Sequence, residues 1–335
     1  MCLKESYYKC GKCVECIEEL RTMWSIRCQE QARDSLFVLF GMITYDEDNV
    51  PHVEYKGDYL MSLCWLDVQK FLKRFRKANP FIKFKYLISG EYGTLHSRPH
   101  YHPLIFVESV SMDNVNYRLY SESKLKKIRY RYEQCVKSPV TSIENYMRES
   151  WAKGFLNLSL ARKGVDACSH YATKYMLGKV NAPAGVEDKP YIVSHGLGIG
   201  YLERRRTEFQ FDDHLRFYKV PYDGRIPHPC ECVNLPSVPF LWTTNYLSSY
   251  SNNRGKYSLP LYYRRKDFEF YPFTIRKLIA EQNILKQNVK YCKRIEKLVK
   301  LSSEAGFVCT HDYLANLEQV KLDKFKRRIK FKLNQ

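Results

Sequence analysis

Apolar residues run almost without a break from Ser35 to Tyr45, SLFVLFGMITY. Near-continuous apolarity of this kind predicts a strand buried on both faces. The polar DEDNVP that follows predicts a solvated turn, since its acids have no EF-hand register. Val68, Phe71, Leu72 and Phe75 then recur at helical spacing, and Asn79-Pro80 ends that helix. Its other face carries Lys70, Lys73, Arg74, Arg76 and Lys77, which make either a solvated surface or a rail for phosphates. Two β-prone runs, Phe84 to Ser89 and Tyr101 to Val107, flank a turn-rich segment and predict two antiparallel strands.

A long excursion from Glu108 to Glu149 comes next, with Lys124, Lys126, Lys127, Arg129 and Arg131 at its centre and tyrosines interleaved. It reads equally as an exposed helix or as phosphate contacts alternating with stacking rings. Trp151 to Gly154 closes it, and FLNLSL at 155–160 alternates as a half-buried strand. A helix follows, ending near Gly178. The order β, helix, β, β, excursion, β, helix fits an α+β fold built on an antiparallel sheet of ferredoxin-like or RRM-like type. Its first strand is central, beside the strand at 101–107, and its helices lie on one face.

The flanks differ in character. Leu20, Met23, Trp24 and Cys28 predict a helix from Glu18 to Asp34. Beyond 205, prolines at 221, 227, 229, 236 and 239 predict an irregular connector. From Thr274 one column, Leu278, Leu285, Cys292 and Val299, repeats every seven residues and predicts a helical hairpin. Gly306 separates it from a last helix ending in KLDKFKRRIKFKLNQ, a DNA-gripping element or a solubilising end. The expected division is therefore a Cys-rich segment and helix at 1–33, a catalytic domain at 34–205, and a basic, aromatic and helical region at 206–335.

Charge decides the partner class. Against 36 acids stand 55 Lys and Arg, a net +19, together with 27 Tyr and 18 Phe. A polyanion that also offers flat bases fits best, which means nucleic acid. A polybasic membrane-surface protein would need an amphipathic anchor, and there is neither that nor an apolar run of eighteen. The opening MCLKESYYKCGKC is too polar for a signal peptide, so the twelve cysteines are expected in a reducing cytosol as thiols or metal ligands. Cys10, Cys13 and Cys16, with Cys2 or Cys28 as a fourth, are either a structural Zn²⁺ knuckle or ordinary thiols.

The candidate chemistry lies in the middle of the chain. His100 and His102 bracket Tyr101, and a strand repeats every two residues, so both imidazoles leave one face and can hold a cation. The loop can fold the carboxylate of Glu91 back toward them. Two nitrogens and an oxygen suit Mg²⁺ or Mn²⁺ with positions left open for water and phosphate oxygens. About seventy residues on, Tyr171 and Tyr175 stand at i and i+4 with Lys174 beside them. A tyrosine pair at helical spacing is often core, but Ser169, Lys174 and Lys179 make this segment polar.

His100-Tyr101-His102 resembles the motif of the HUH family of single-strand endonucleases, named for His-hydrophobic-His. RPHYH after GEYG, followed by YxxKY, narrows the resemblance to the replication initiators of Microviridae, small single-stranded DNA phages, and especially their gokushovirus-like branch. Thr44-Tyr45, Trp151 to Gly154, SHGLGIGYL at 194–202 and the amino-terminal CGKC also match, so the resemblance covers about 10 to 205.

This resemblance implies Glu91, His100 and His102 as metal ligands, Tyr171 and Tyr175 as paired nucleophiles and Lys174 as their partner. It implies a metal-dependent endonuclease that nicks and rejoins single-stranded DNA through a 5′-phosphotyrosine, starting and ending rolling-circle replication. The expected partners are single-stranded DNA, the origin of a circular viral replicative form, and a host polymerase and helicase, since no P-loop occurs. The expected setting is the bacterial host's cytoplasm. A relaxase or transposase of a mobile element would share this chemistry. A non-catalytic zinc-knuckle binder would explain charge and cysteines but not the convergence of Glu91, His100, His102, Tyr171 and Tyr175.

Overall fold

The apolar run at 35–45 folds as strand β1, Phe37–Thr44, in a computed structural model that describes residues 14–93, 97–161, 173, 182–209, 249–252, 255–270, 293–317, 319–320 and 323. The chain divides into two compact units, 24–201 and 1–23 with 202–335.

In the first unit β1 is followed by a two-stranded hairpin, β2 (His52–Tyr55) and β3 (Asp58–Met61), where only a turn was expected. Alternation in HVEY and DYLM is too short to stand out from a polar loop. Helix α2 (Trp65–Ala78) buries Val68, Phe71, Leu72 and Phe75 as their spacing predicts. It stops at Asn79, whose backbone N–H and side-chain amide both donate to the Phe75 carbonyl. Strands β4 (Ile82–Tyr92) and β5 (Pro99–Val110) form the long central hairpin. The basic excursion resolves into helices α3 (Glu122–Lys137) and α4 (Pro139–Trp151). Proline at the first position of α4 suits a helix start, because its missing N–H would have no partner there.

Ala152, in the left-handed region, ends α4, and Gly154 follows at φ 138°. A Cβ on Gly154 would lie 2.4 Å from the Asp46 nitrogen and 2.5 Å from the Thr44 oxygen, so this closure against the end of β1 requires glycine. Strand β6 (Leu156–Leu160) and the short, unpredicted β7 (Tyr191–Val193) complete a five-stranded sheet of order β6-β1-β5-β4-β7. β1 is central beside β5, as expected, and every described pairing in the sheet is antiparallel.

Two layers of apolar side chains cover the sheet. On one face Leu39, Ile43, Ile88, Tyr101 and Ile105 pack against α2, α3 and α4. The expectation of helices on one face only does not hold. Trp24, Cys28 and Ala32, spaced i, i+4, i+8 on helix α1 (Val14–Arg33), cover Val38, Leu87, Leu104 and Phe106 on the other face. Nor is β1 buried throughout, because Met42 on this second face is 45% exposed.

The Gly-rich segment at 194–200 is tied to the same face. Leu197 is buried in that cluster, Gly198 N–H donates to Gln31 Oε1 at 2.9 Å, and Lys85 Nζ donates to the Gly196 carbonyl at 3.2 Å. Helix α5 (Gly200–Phe209) begins there.

In the second unit the region expected to be an irregular connector contains a hairpin, β8 (Ser249–Asn252) and β9 (Gly255–Ser258), and helix α6 (Leu261–Phe270). Residues 293–304 are helical, but Leu298 is the buried position and Val299, assigned to the repeating column, is 53% exposed. Leu278, Leu285 and Cys292 lie outside the described residues.

Candidate metal centre

The second face of the sheet turns polar at one end, where β4 contributes Ser89 and Glu91 and β5 contributes His100 and His102. Glu91 does not need a loop to bring it back. It is still within β4, directly opposite His100, while Ser89 is opposite His102. Cross-strand partners on one face have Cβ atoms about 5 Å apart, so the pairing register alone brings the carboxylate to the imidazoles. Glu91 Oε2 is 3.3 Å from His100 Nε2 and 3.1 Å from His102 Nε2. One ligand atom from each residue lies within 4.8 Å of the others, and among the described residues no other group of three or more His, Cys, Asp or Glu comes together in this way.

Each ring is held. His100 Nδ1 faces the Arg98 carbonyl at 3.1 Å, which turns Nε2 toward the common point. The His102 ring stacks on Phe40 at 6.4 Å and 15°, and the two imidazoles stand nearly perpendicular at 5.0 Å. Arg98 donates to the Tyr45 carbonyl at 2.8 Å and pairs with Glu47, fixing the approach to β5. Buried Ser89 Oγ has no hydrogen-bond partner among the described residues.

The electrostatics match an ion pair awaiting a cation. Burial raises the cost of charging Glu91, but hydrogen bonds from His100 and His102 outweigh it and hold the carboxyl down at about 2. Burial likewise opposes a charge on His100, yet Glu91 and the Arg98 carbonyl raise its pKa. With an oxygen acceptor at each nitrogen, His100 satisfies both only as the imidazolium. A carboxylate and two imidazoles converging on one point form a donor set that can hold a divalent ion.

The residue between the histidines is anchored on the opposite face. Tyr101 is fully buried; its Oη accepts from Cys64 N–H at 2.7 Å and meets Tyr45 Oη at 3.0 Å. Tyr45 donates to Asp67 at 3.3 Å, and Asp67 pairs with Lys153 at 3.2 Å. Trp65 and Trp151 pack edge-on against the Tyr101 ring. Of this scaffold, sequence reasoning reached only Thr44-Tyr45 and Trp151, without a role; the mix of aromatics with one acid and one lysine was the available signal.

Tyr171, Lys174 and Tyr175 lie outside the described residues, while Thr173 between them is helical and buried. Cys2, Cys10 and Cys13 lie outside as well. Cys28 is no zinc ligand: it is fully buried against the apolar cluster of the second face, and burial pushes its thiol up to about 12. Among the described residues no helix is long and apolar enough to cross a membrane.

Fold and centre together define an α+β protein with a central antiparallel sheet and a two-histidine, one-carboxylate donor set, an arrangement consistent with an HUH-like fold. Residues 39–179, which include all three donors, match the family model of replication-associated protein ORF2. The chain is 24% identical over 232 residues to replication-associated protein ORF2 of Spiroplasma virus 4, covering 65% of this chain and 67% of that protein. It is 26% identical over 210 residues to replication-associated protein VP4 of Bdellovibrio phage phiMH2K, covering 59% and 58%. It is also 25% identical over 174 residues to replication-associated protein ORF4 of Chlamydia phage 1, covering 51% and 38%. No solved structure matches. The chain is thus similar, at low identity, to the replication-associated proteins of Microviridae-like phages, as its HYH and YxxKY motifs led one to expect.

Proposed function

We propose that this chain initiates and terminates rolling-circle replication of a phage genome by nicking and rejoining single-stranded DNA in the host cytoplasm. The convergence of Glu91, His100 and His102 carries the proposal, because replication-associated relatives and this donor set together favour phosphodiester chemistry. Glu91, His100 and His102 would hold Mg²⁺ or Mn²⁺, which when bound supplies charge neutralisation at a phosphate oxygen.

The protein's own part is nucleophile, proton transfer and positioning. Tyr171 or Tyr175 attacks phosphorus; the bond from phenolic oxygen to phosphorus forms as the bond to the 3′ oxygen breaks. The phenolic proton passes to Lys174 in its amine form, and the resulting ammonium can return a proton to the departing 3′ oxygen. Phenolate is a fair leaving group, so the free 3′ hydroxyl can reverse the step and seal the strand. A second tyrosine one helical turn away would allow the closing cleavage while the first remains linked. Residues 34–205 form the nicking domain in this reading, with 1–33 and 206–335 as accessory regions. Host helicase and polymerase act on the primer it exposes.

The reading is tested by incubating the full chain and Mn²⁺ with single-stranded DNA that carries the viral origin and a label on the 3′ side of the scissile phosphate, then running a denaturing protein gel. Label that travels with the protein, and is lost in the Tyr171→Phe/Tyr175→Phe double variant, is the expected result. A mobility shift seen only under native conditions would make the chain a DNA binder without this chemistry.

A further inference from the structure

Helices α2 and α3 carry far more positive charge than packing requires. Eleven of their thirty residues are Lys or Arg, against 55 of 335 in the chain, about twice the average density. Three of the eleven hold the layer together. Arg74 donates to the Ser150 and Trp151 carbonyls, Arg76 lies over the Phe84 and Tyr86 rings, and Arg131 pairs with Glu149. The others have no ion pair among the described residues.

Their placement is regular. On α2, Lys70, Lys73 and Lys77 lie opposite the buried stripe of Val68, Phe71, Leu72 and Phe75. On α3, Lys126 and Lys137 lie opposite buried Ile128 and Cys135, with Arg129 beside them. All six are exposed. The two helices are joined at one end, where Arg131 donates to Asn79 Oδ1, the residue that ends α2, and Tyr132 packs on Phe81. Both rest on the sheet face that carries Tyr101, so this surface looks away from Glu91, His100 and His102.

The chemistry selects the partner. Lysine is depleted from protein–protein interfaces, and the large exposed apolar groups of the two helices, Leu66, Tyr130 and Val136, are scattered among the cations. A membrane surface would require an apolar stripe to insert. Single-stranded DNA is gripped by successive aromatic platforms, and Tyr130 is the one large exposed ring on these helices. Rows of cations without successive rings instead match the regularly spaced phosphates of a duplex.

We propose that the outer face of α2 and α3 is a second nucleic-acid surface that grips the backbone of double-stranded DNA flanking the strand at the metal centre. The inference rests on the reading of the chain as a DNA-acting protein but not on the chemistry of Tyr171 and Tyr175. The test uses the full chain with all six cations changed, K70Q/K73Q/K77Q/K126Q/R129Q/K137Q, and a fluorescent duplex of about 20 base pairs titrated between about 50 and 200 mM salt. The expected result is an affinity lower by about tenfold or more at low salt, and a salt dependence shallower by about 0.9 for each phosphate no longer neutralised. Mn²⁺ binding should be unchanged. A companion variant that keeps the charge, K70R/K73R/K77R/K126R/K137R, should bind duplex like the parent, which separates charge from folding. Duplex affinity and salt slope equal to the parent's in the glutamine variant would overturn the proposal, as would polyglutamate competing as well as DNA for the parent protein. Failure of the covalent-linkage assay leaves these binding readouts intact, so the two readings fail separately.

Discussion

Tyr45 and Tyr101 join their phenols at 3.0 Å on the face of the sheet opposite the histidines. The chain of donors runs one way: Cys64 N–H to Tyr101, Tyr101 to Tyr45, Tyr45 to Asp67. Burial pushes both phenols above their ordinary range, so they remain neutral and able to donate. Because His100 and His102 flank Tyr101, this anchor fixes the strand segment from which both imidazoles project.

Tyr101→Phe keeps the ring and removes the hydroxyl, leaving the Cys64 N–H without its acceptor. Stability should fall by about 1–3 kcal/mol in urea denaturation. If the anchor positions the histidines, Mn²⁺ affinity measured by calorimetry should fall as well, by about tenfold. Unchanged metal affinity with lowered stability would assign the network to the core alone.

Glu91→Gln preserves shape and removes the one negative ligand. A ligand that binds only the folded state raises its stability, by about 2.7 kcal/mol at a hundredfold excess over Kd. Mn²⁺ should therefore raise the melting temperature of the parent protein and leave that of the variant nearly unmoved. An equal rise in both would remove Glu91 from the ligand set.

Metal uptake should release protons. His100 has its pKa raised by Glu91 and the Arg98 carbonyl against the opposing effect of burial, so its stabilisation of the metal-free fold is present at low pH and lost as pH rises through that value. Glu91, lowered to about 2, contributes down to about that pH. A cation competes with the imidazolium proton, so apparent Mn²⁺ affinity should increase with pH until His100 is neutral. Calorimetry near pH 6.5, the ordinary histidine value, in buffers of different ionisation heat should register the released proton. Heats independent of buffer would contradict it.

Gly154→Ala adds a Cβ at a φ of 138° and 2.4 Å from the Asp46 nitrogen. Strain and clash act together, so a loss of about 2 kcal/mol or more is expected in chemical denaturation. A loss below about 0.5 kcal/mol would show that the turn relaxes freely.

Thiol reactivity should follow burial. Cys28 is fully buried with its thiol pushed up to about 12, whereas Cys309 is exposed. Iodoacetamide near neutral pH, read by peptide mass spectrometry, should label Cys309 and spare Cys28 until the protein is unfolded.

Much of this was legible along the chain. The run at 35–45 and the spacing of Val68, Phe71, Leu72 and Phe75 predict β1 and α2 because they bury groups several residues long, and long periodic patterns survive local noise. HYH on a strand places both imidazoles on one side by the period of two. The β2–β3 hairpin and β7 escaped because three or four residues carry too little pattern. Cys28 looked available as a ligand because spacing does not report burial.

The sequence alone determined the residue types and their periodicity: which strand carries the histidines, which helix faces are basic, and the family likeness that both suggest. Tertiary structure decided the rest. Glu91 meets His100 through pairing between β4 and β5, and Tyr101 meets Tyr45 through pairing between β5 and β1. Such contacts join segments distant in the chain, and their register follows from how the whole sheet buries its two faces. No local pattern carries that information, because a shift of one residue would send each of these side chains to the opposite face.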